Sequence, residues 1–333
     1  MPDLTARAEE ALLGALLTYP WQLDEISVLA AGDFADPVRQ AAWQAITRAH
    51  EQDPAAAGPE LARLAARSAA HAQVTEEYLA RLSAAVPTPT GAAAYGRMVL
   101  EAAFDRQMAG EAARLAAEAG SARGSDAARD QTAVLSSALA GHARNLQAAR
   151  DGGTGEPGPQ PAGPQAALED RFLGALMQQP TLADWITLDA SVFTAPGRRE
   201  IYEAITSIDG YGEPVDELTV TWALAREAAT GDTWAGRTTT AASLAEAIPP
   251  GIIARLAAAP LDTQAGLECA RDLLASRLHA ELASLPAGPA GVRVARDRPG
   301  AARARSATAD AAVLRPPERS AELGQQQLRQ EGR

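Results

Sequence analysis

Four histidines, His50, His71, His142 and His279, and a single cysteine, Cys269, are the side chains in this 333-residue sequence best suited to hold a metal or start a nucleophilic reaction. A metal site on a helix needs two such ligands about one turn apart, and a nucleophile needs a base beside it. No histidine forms an i, i+4 pair with another or with Cys269. Cys269, near Leu267, Leu273 and Leu274, reads as an inert buried thiol, with His279 an ordinary residue of the same helix. Asp33 and Asp36 are the best carboxylate pair for acid–base work, but Asp36 precedes Pro37 and reads as a helix N-cap. All thirty basic residues are arginine. Without lysine no G-x-x-x-x-G-K-[ST] loop can be written, which removes P-loop nucleotide hydrolysis and lysine Schiff-base chemistry. The expectation is a chain with no catalytic, metal or cofactor site, and not an enzyme.

The elements that would have to position any site are helical. Alanine, leucine, glutamate and arginine dominate, aromatic residues make up only 4%, and β-branched residues rarely alternate. A formal charge of −12 argues against a general nucleic-acid surface. The stretch from Pro286 onward is the exception, with nine arginines against five acidic residues, which leaves the rest near −16. The start MPDLTARAEE lacks the blocks of a secretory signal, one cysteine makes no internal disulfide, and no apolar run reaches a membrane span. A cytoplasmic protein with no membrane contact is expected.

EEALLGALLTYP (Glu9–Pro20) returns as EDRFLGALMQQP (Glu169–Pro180). DFADPVRQAAWQAI then aligns with VFTAPGRREIYEAI, pairing Phe34 with Phe193, Arg39 with Arg198 and Trp43 with Tyr202, while Asp33 and Asp36 become Val192 and Ala195. Asp53-Pro54 matches Glu213-Pro214, and LSAAVP at Leu82 is aligned with LAEAIP at Leu244. Leu12, Leu13, Leu16 and Leu17 form one side of a short helix whose first turn is expected to hold Glu9 and Glu10, suiting the helix dipole. Gly14 and Gly174, inside helices, predict close helix approach. Arg39 and Arg198 are expected on a solvated or salt-bridged helix face.

Leu100, Phe104, Met108, Ala112 and Leu115 form one further stripe, and Leu135, Ala138, Leu139, His142 and Leu146 another, which predicts an antiparallel helical hairpin. Tyr95, Met98, Val99 and Ala102 give its first helix apolar width beyond one seam. The candidate interaction face is therefore Tyr95, Met98, Val99, Leu100, Phe104, Met108, Leu115, Leu135 and Leu139. The fold class is all-α, two tandem small helical bundles, the first followed by the hairpin. The domains are 1–150, a Gly/Pro-rich linker 151–165, a shorter second bundle 166–285, and an Arg-containing tail 286–333 expected to be disordered.

AEEALLGALLTYP, DFADPVRQAAWQAI, LSAAVPT and YGRMVLEAAFDRQM resemble, in order, the amino-terminal domain of DnaB-type replicative DNA helicases. LEDRFLGALMQQP, VFTAPGRREIYEAI, GEPVDELTVTWAL and LAEAIP repeat that resemblance. It implies a helical bundle with a hairpin that dimerises and builds a ring collar, and contacts with primase and loaders. The family's ATPase domain has no counterpart in these residues, so unwinding is not implied. The expected role is a non-enzymatic interaction and oligomerisation module engaging replicative helicase, primase or itself. The alternative is a nucleic-acid-binding accessory using the tail arginines. The doubling further predicts that the copies pair within one chain, imitating a dimer that other members make from two.

Overall fold

The computed structural model describes residues 3–121, 163–186, 188–230, 247–248, 251–259 and 263–284, together with isolated positions between them. Leu135 and Leu139, the second hairpin arm to which they belong, most of the 151–165 linker and the tail lie outside the described residues. What is described is helical, apart from a two-residue antiparallel ribbon pairing Thr233–Trp234 with Arg237–Thr238.

The first block holds α1 (Leu4–Thr18), a 3-10 turn (Pro20–Ile26), α2 (Pro37–Gln52), α3 (Pro59–Ser68), α4 (Glu76–Ala85) and the long α5 (Ala92–Ser121). Helix α1 begins where the Asp3 carboxylate accepts from the Ala6 N–H at 2.6 Å, satisfying one of the orphan donors of its first turn. Its leucines 4, 12, 13, 16 and 17 are all fully buried, so α1 is a central helix covered on several sides rather than on one. Asp36 and Pro37 open α2 as expected, the Asp36 carboxylate accepting from the Val38 N–H at 2.7 Å. Glu9 and Glu10 are not in the first turn of α1, because the helix starts at Leu4.

The second block repeats the plan with α6 (Pro164–Gln178), α7 (Leu182–Trp185), α8 (Arg198–Gly210), α9 (Glu217–Thr230), α10 (Ile252–Ala257) and α11 (Thr263–Ser284). Helix α6 takes Pro164 and Gln165 from the expected linker. Each block keeps the repeated aromatic pair at its centre: Phe34 lies against Trp43 at 5.4 Å between ring centroids, and Phe193 against Tyr202 at 4.7 Å.

One repeat register is corrected. Helix α10 packs on α6 and α9 as α4 packs on α1 and α3. The equivalent of LARLSAA (79–85) is therefore IARLAAA (253–259), not LAEAIP, of which only Ala247 and Ile248 are described. Local similarity of LSAAVP and LAEAIP misleads because both are short Ala-rich runs ending in proline.

Gly14 is where α1 and α4 meet. A Cβ there would sit 2.3 Å from the Leu82 carbonyl oxygen, which is backbone and cannot swing aside. Gly110, exposed inside α5, has nothing within 4 Å. Gly14→Ala is expected to destabilise the protein by about 1–3 kcal/mol, and Gly110→Ala to stabilise it by up to about 1 kcal/mol, in urea unfolding.

Candidate interaction surfaces

Both blocks are organised by a buried carboxylate. Glu9 is fully buried and accepts from the Ala35 N–H at 2.7 Å and from Arg39 Nε. Glu169, equally buried, accepts from the Thr194 and Ala195 N–H groups, each at 3.0 Å. Each glutamate ties the chain just ahead of the next long helix to the central one, which explains why it recurs with Phe34/Phe193 and Arg39/Arg198. Both arginines are salt-bridged, one arm of the expectation, and Arg198 is buried as well. Arg198 is 1% exposed and bonds Asp170 at 2.9 and 3.3 Å, and Arg39 also lies 3.5 Å from Glu10. Burial works to lower the Arg39 pKa, but the Glu9 hydrogen bond and charge outweigh it and hold the guanidinium above its ordinary range.

The two blocks share one helix. On α9, Val220, Leu224 and Ala228 belong to the core of the second block, whereas Leu218, Trp222 and Ala225 belong to the core of the first. A helix apolar on two stripes must be covered on both. Trp222, 2% exposed, donates from Nε1 to Glu101 Oε2 at 2.8 Å across the junction. The buried Asp216 serves both sides. Its Oδ1 caps α9 through the Leu218 and Thr219 N–H groups, each at 2.9 Å, while Oδ2 accepts from the Tyr95 hydroxyl at 2.6 Å and from Thr88 Oγ1 at 3.0 Å. Burial, then the Asp216 charge and hydrogen bond, push the Tyr95 pKa up. Around this buried centre, Arg97 holds Glu213 with two bonds of 2.8 and 2.6 Å, and Arg7 bonds Glu217 at 2.8 Å.

The expected interaction face therefore divides. Tyr95, Met98 and Val99 are fully buried in the first core and are withdrawn from any outward face. Leu100, Met108 and Leu115 are half-buried, and Phe104 is 61% exposed. Cys269 is buried on α11, and burial pushes its thiol pKa up. Asp33 accepts from the Ala30 N–H at 2.7 Å, and like Asp36 it caps backbone. Among the described residues no three His, Cys, Asp or Glu side chains gather to hold a metal, and no helix is long and apolar enough to cross a membrane. Asp216, Trp222 and Glu101 are the junction residues that motif reading misses. The signal for Trp222 is present in ELTVTWALAREAAT, whose apolar residues fill two stripes rather than one.

The family model for the DnaB-like helicase N terminal domain matches residues 2–101 and 164–255. The chain belongs to the DnaB-like helicase N-terminal domain family. No curated protein and no solved structure matches it significantly. One matched segment falls in each block, so this family member carries the domain twice, and the second copy inserts α9 into the core of the first.

Glu101 gives the junction a pH dependence. Burial pushes its carboxyl up, but the Trp222 hydrogen bond and the Arg97 and Arg226 charges together hold it below its ordinary 4.5. A carboxyl depressed in the folded state contributes fully above its unfolded pKa, and its contribution is lost as pH falls through the lower folded value. Thermal melts between about pH 5 and pH 3 should show a smaller loss of stability for Glu101→Gln than for the unaltered chain. Trp222→Ala should cost about 3–5 kcal/mol, measured at neutral pH.

Proposed function

We propose that this chain is a non-enzymatic interaction and oligomerisation module, related to the collar domain of replicative helicases, that acts in or on DNA replication by engaging helicase, primase or a second copy of itself. The observation that carries this reading is the doubled N-terminal domain joined into one body through α9. Such an arrangement presents within one chain what two domains would otherwise present by association.

Several features support a role without catalysis. The buried carboxylates are engaged in holding backbone and arginine, and the absence of lysine removes the Walker A chemistry on which a motor domain depends. The surface proposed for a partner is the distal part of α5, from Leu100 through Phe104 and Met108 to Leu115; Leu135 and Leu139, also proposed from the sequence, lie outside the described residues. Phe104 is its most exposed large residue. The working compartment proposed is the cytoplasm, where the replication machinery resides.

The test is binding of the purified full chain to purified replicative helicase and to primase from the same cells, with its own self-association followed by light scattering. Binding to either partner, or self-association, at micromolar concentration is expected, weakened at least about tenfold by Phe104→Asp. Absence of all three associations would overturn the proposal.

A further inference from the structure

The first block carries a groove of about 610 Å³ between the start of α2, the α3–α4 loop and the first turns of α4. Its lining includes Glu10, Asp36, Glu77, Arg39, Arg81 and Tyr78. The matching region of the second block is built differently, and three described residues show how. Gly197 stands at the position of Val38 with φ +78, and a Cβ there would lie 2.5 Å from the Ala247 carbonyl oxygen, so the chain approaching α10 lies directly on it. Val38 cannot permit that approach, and its side chain lines the open groove beside Ala72 and Gln73. Ile252, fully buried, occupies the position of Tyr78. Arg255, at the position of Arg81, bonds Asp170 at 3.2 Å, while Arg198 bonds the same carboxylate from the other side.

The second block thus shows what the groove lacks. In the second block one carboxylate lies between two guanidinium groups. In the groove, Glu10 has Arg39 at 3.5 Å on one side, and Arg39 is also held by the buried Glu9. Arg81 instead lies over the Tyr78 ring, 5.4 Å from its centroid. The lining holds three carboxylates and two guanidinium groups, and Arg39 is shared between Glu10 and the buried Glu9 outside the lining, so the groove disfavours an anion and suits a cation. The Tyr78 hydroxyl, pushed up to about 12 by burial and then by the Glu10 charge, stays neutral, so it adds no charge of its own to the groove.

We propose that this groove is a docking site for an arginine-rich segment, and that its occupant is residues 291–305 of this chain. That stretch, GVRVARDRPGAARAR, carries five arginines against one aspartate, in a chain whose residues before Pro286 sum to about −16. An arginine from it reproduces beside Glu10 the second guanidinium that Arg255 supplies to Asp170, and the planar fork matches a carboxylate as an ammonium does not. Forty-nine residues follow Ser284, where α11 ends, and supply the reach.

The experiment uses the full chain with photoreactive benzoylphenylalanine in place of Gln73, at the exposed groove rim. Irradiation and peptide mapping should place the crosslinks within residues 291–305. The yield should fall at least about fivefold when Arg293, Arg296, Arg298, Arg303 and Arg305 are all changed to Gln, and likewise with Glu77→Gln, since each removes one side of the charge pairing. Circular dichroism melts confirm that the variants remain folded, and the tail replacements leave both blocks untouched. Crosslinks outside 286–333, crosslinks only to co-purified nucleic acid or another protein, or a yield indifferent to the tail arginines would each overturn the assignment.

Discussion

Helix α9 has two apolar faces, and the rest of the molecule is arranged around that constraint. Val220, Leu224 and Ala228 face one core while Leu218, Trp222 and Ala225 face another. A helix of this kind cannot return either stripe to water without exposing a tryptophan or a row of aliphatic side chains. The polar groups at the junction reinforce the coupling. Replacing Asp216 by alanine inside the intact junction would leave the Tyr95 O–H without its acceptor, and an unsatisfied buried donor is more costly than the bond itself is favourable. The two copies therefore behave as one cooperative body where their shared core extends.

The pairing runs one way. The outward side of α3, which occupies in the first block the place of α9, carries the exposed charged residues Glu60, Arg63 and Arg67 instead of a Leu/Trp stripe. On α11, the counterpart of α5, Glu268, Arg271 and Asp272 are exposed where a socket like that of Tyr95 and Met98 would lie. One copy supplies the inserted helix and the other receives it, and among the described residues neither repeats the other's part. Head-to-tail contacts of this kind continue indefinitely only when each unit carries both surfaces.

Much of this was legible in the residues. The Asp36-Pro37 start of α2 and the conserved spacing of the aromatic pairs follow from capping and from repeated landmarks, because both depend on local chemistry. The depth of Glu9 was not legible, since a glutamate near a helix start satisfies a dipole argument equally well until the true start at Leu4 is known. Tyr95, Met98 and Val99 show the limit of periodicity. An apolar stripe reveals that something must cover it, not whether the cover is its own bundle, the neighbouring copy or another chain. Trp222 was the better clue, because a second stripe on a single helix demands a second body. The register of α10 was obscured by alanine-rich similarity, and only packing against α6 and α9 resolved it.

The central claim, that both copies form one body within one chain, can be tested through the absence of lysine. Arg7 bonds Glu217 across the junction at 2.8 Å, so Arg7→Lys places the chain's first side-chain amine beside that carboxylate. Zero-length carbodiimide coupling at low protein concentration, followed by peptide mapping, should join position 7 to Glu217 in a species with the mass of one chain. That link should disappear when Trp222→Ala is added. A link found only in species with the mass of two chains, or none between these positions in a folded protein, would contradict the account.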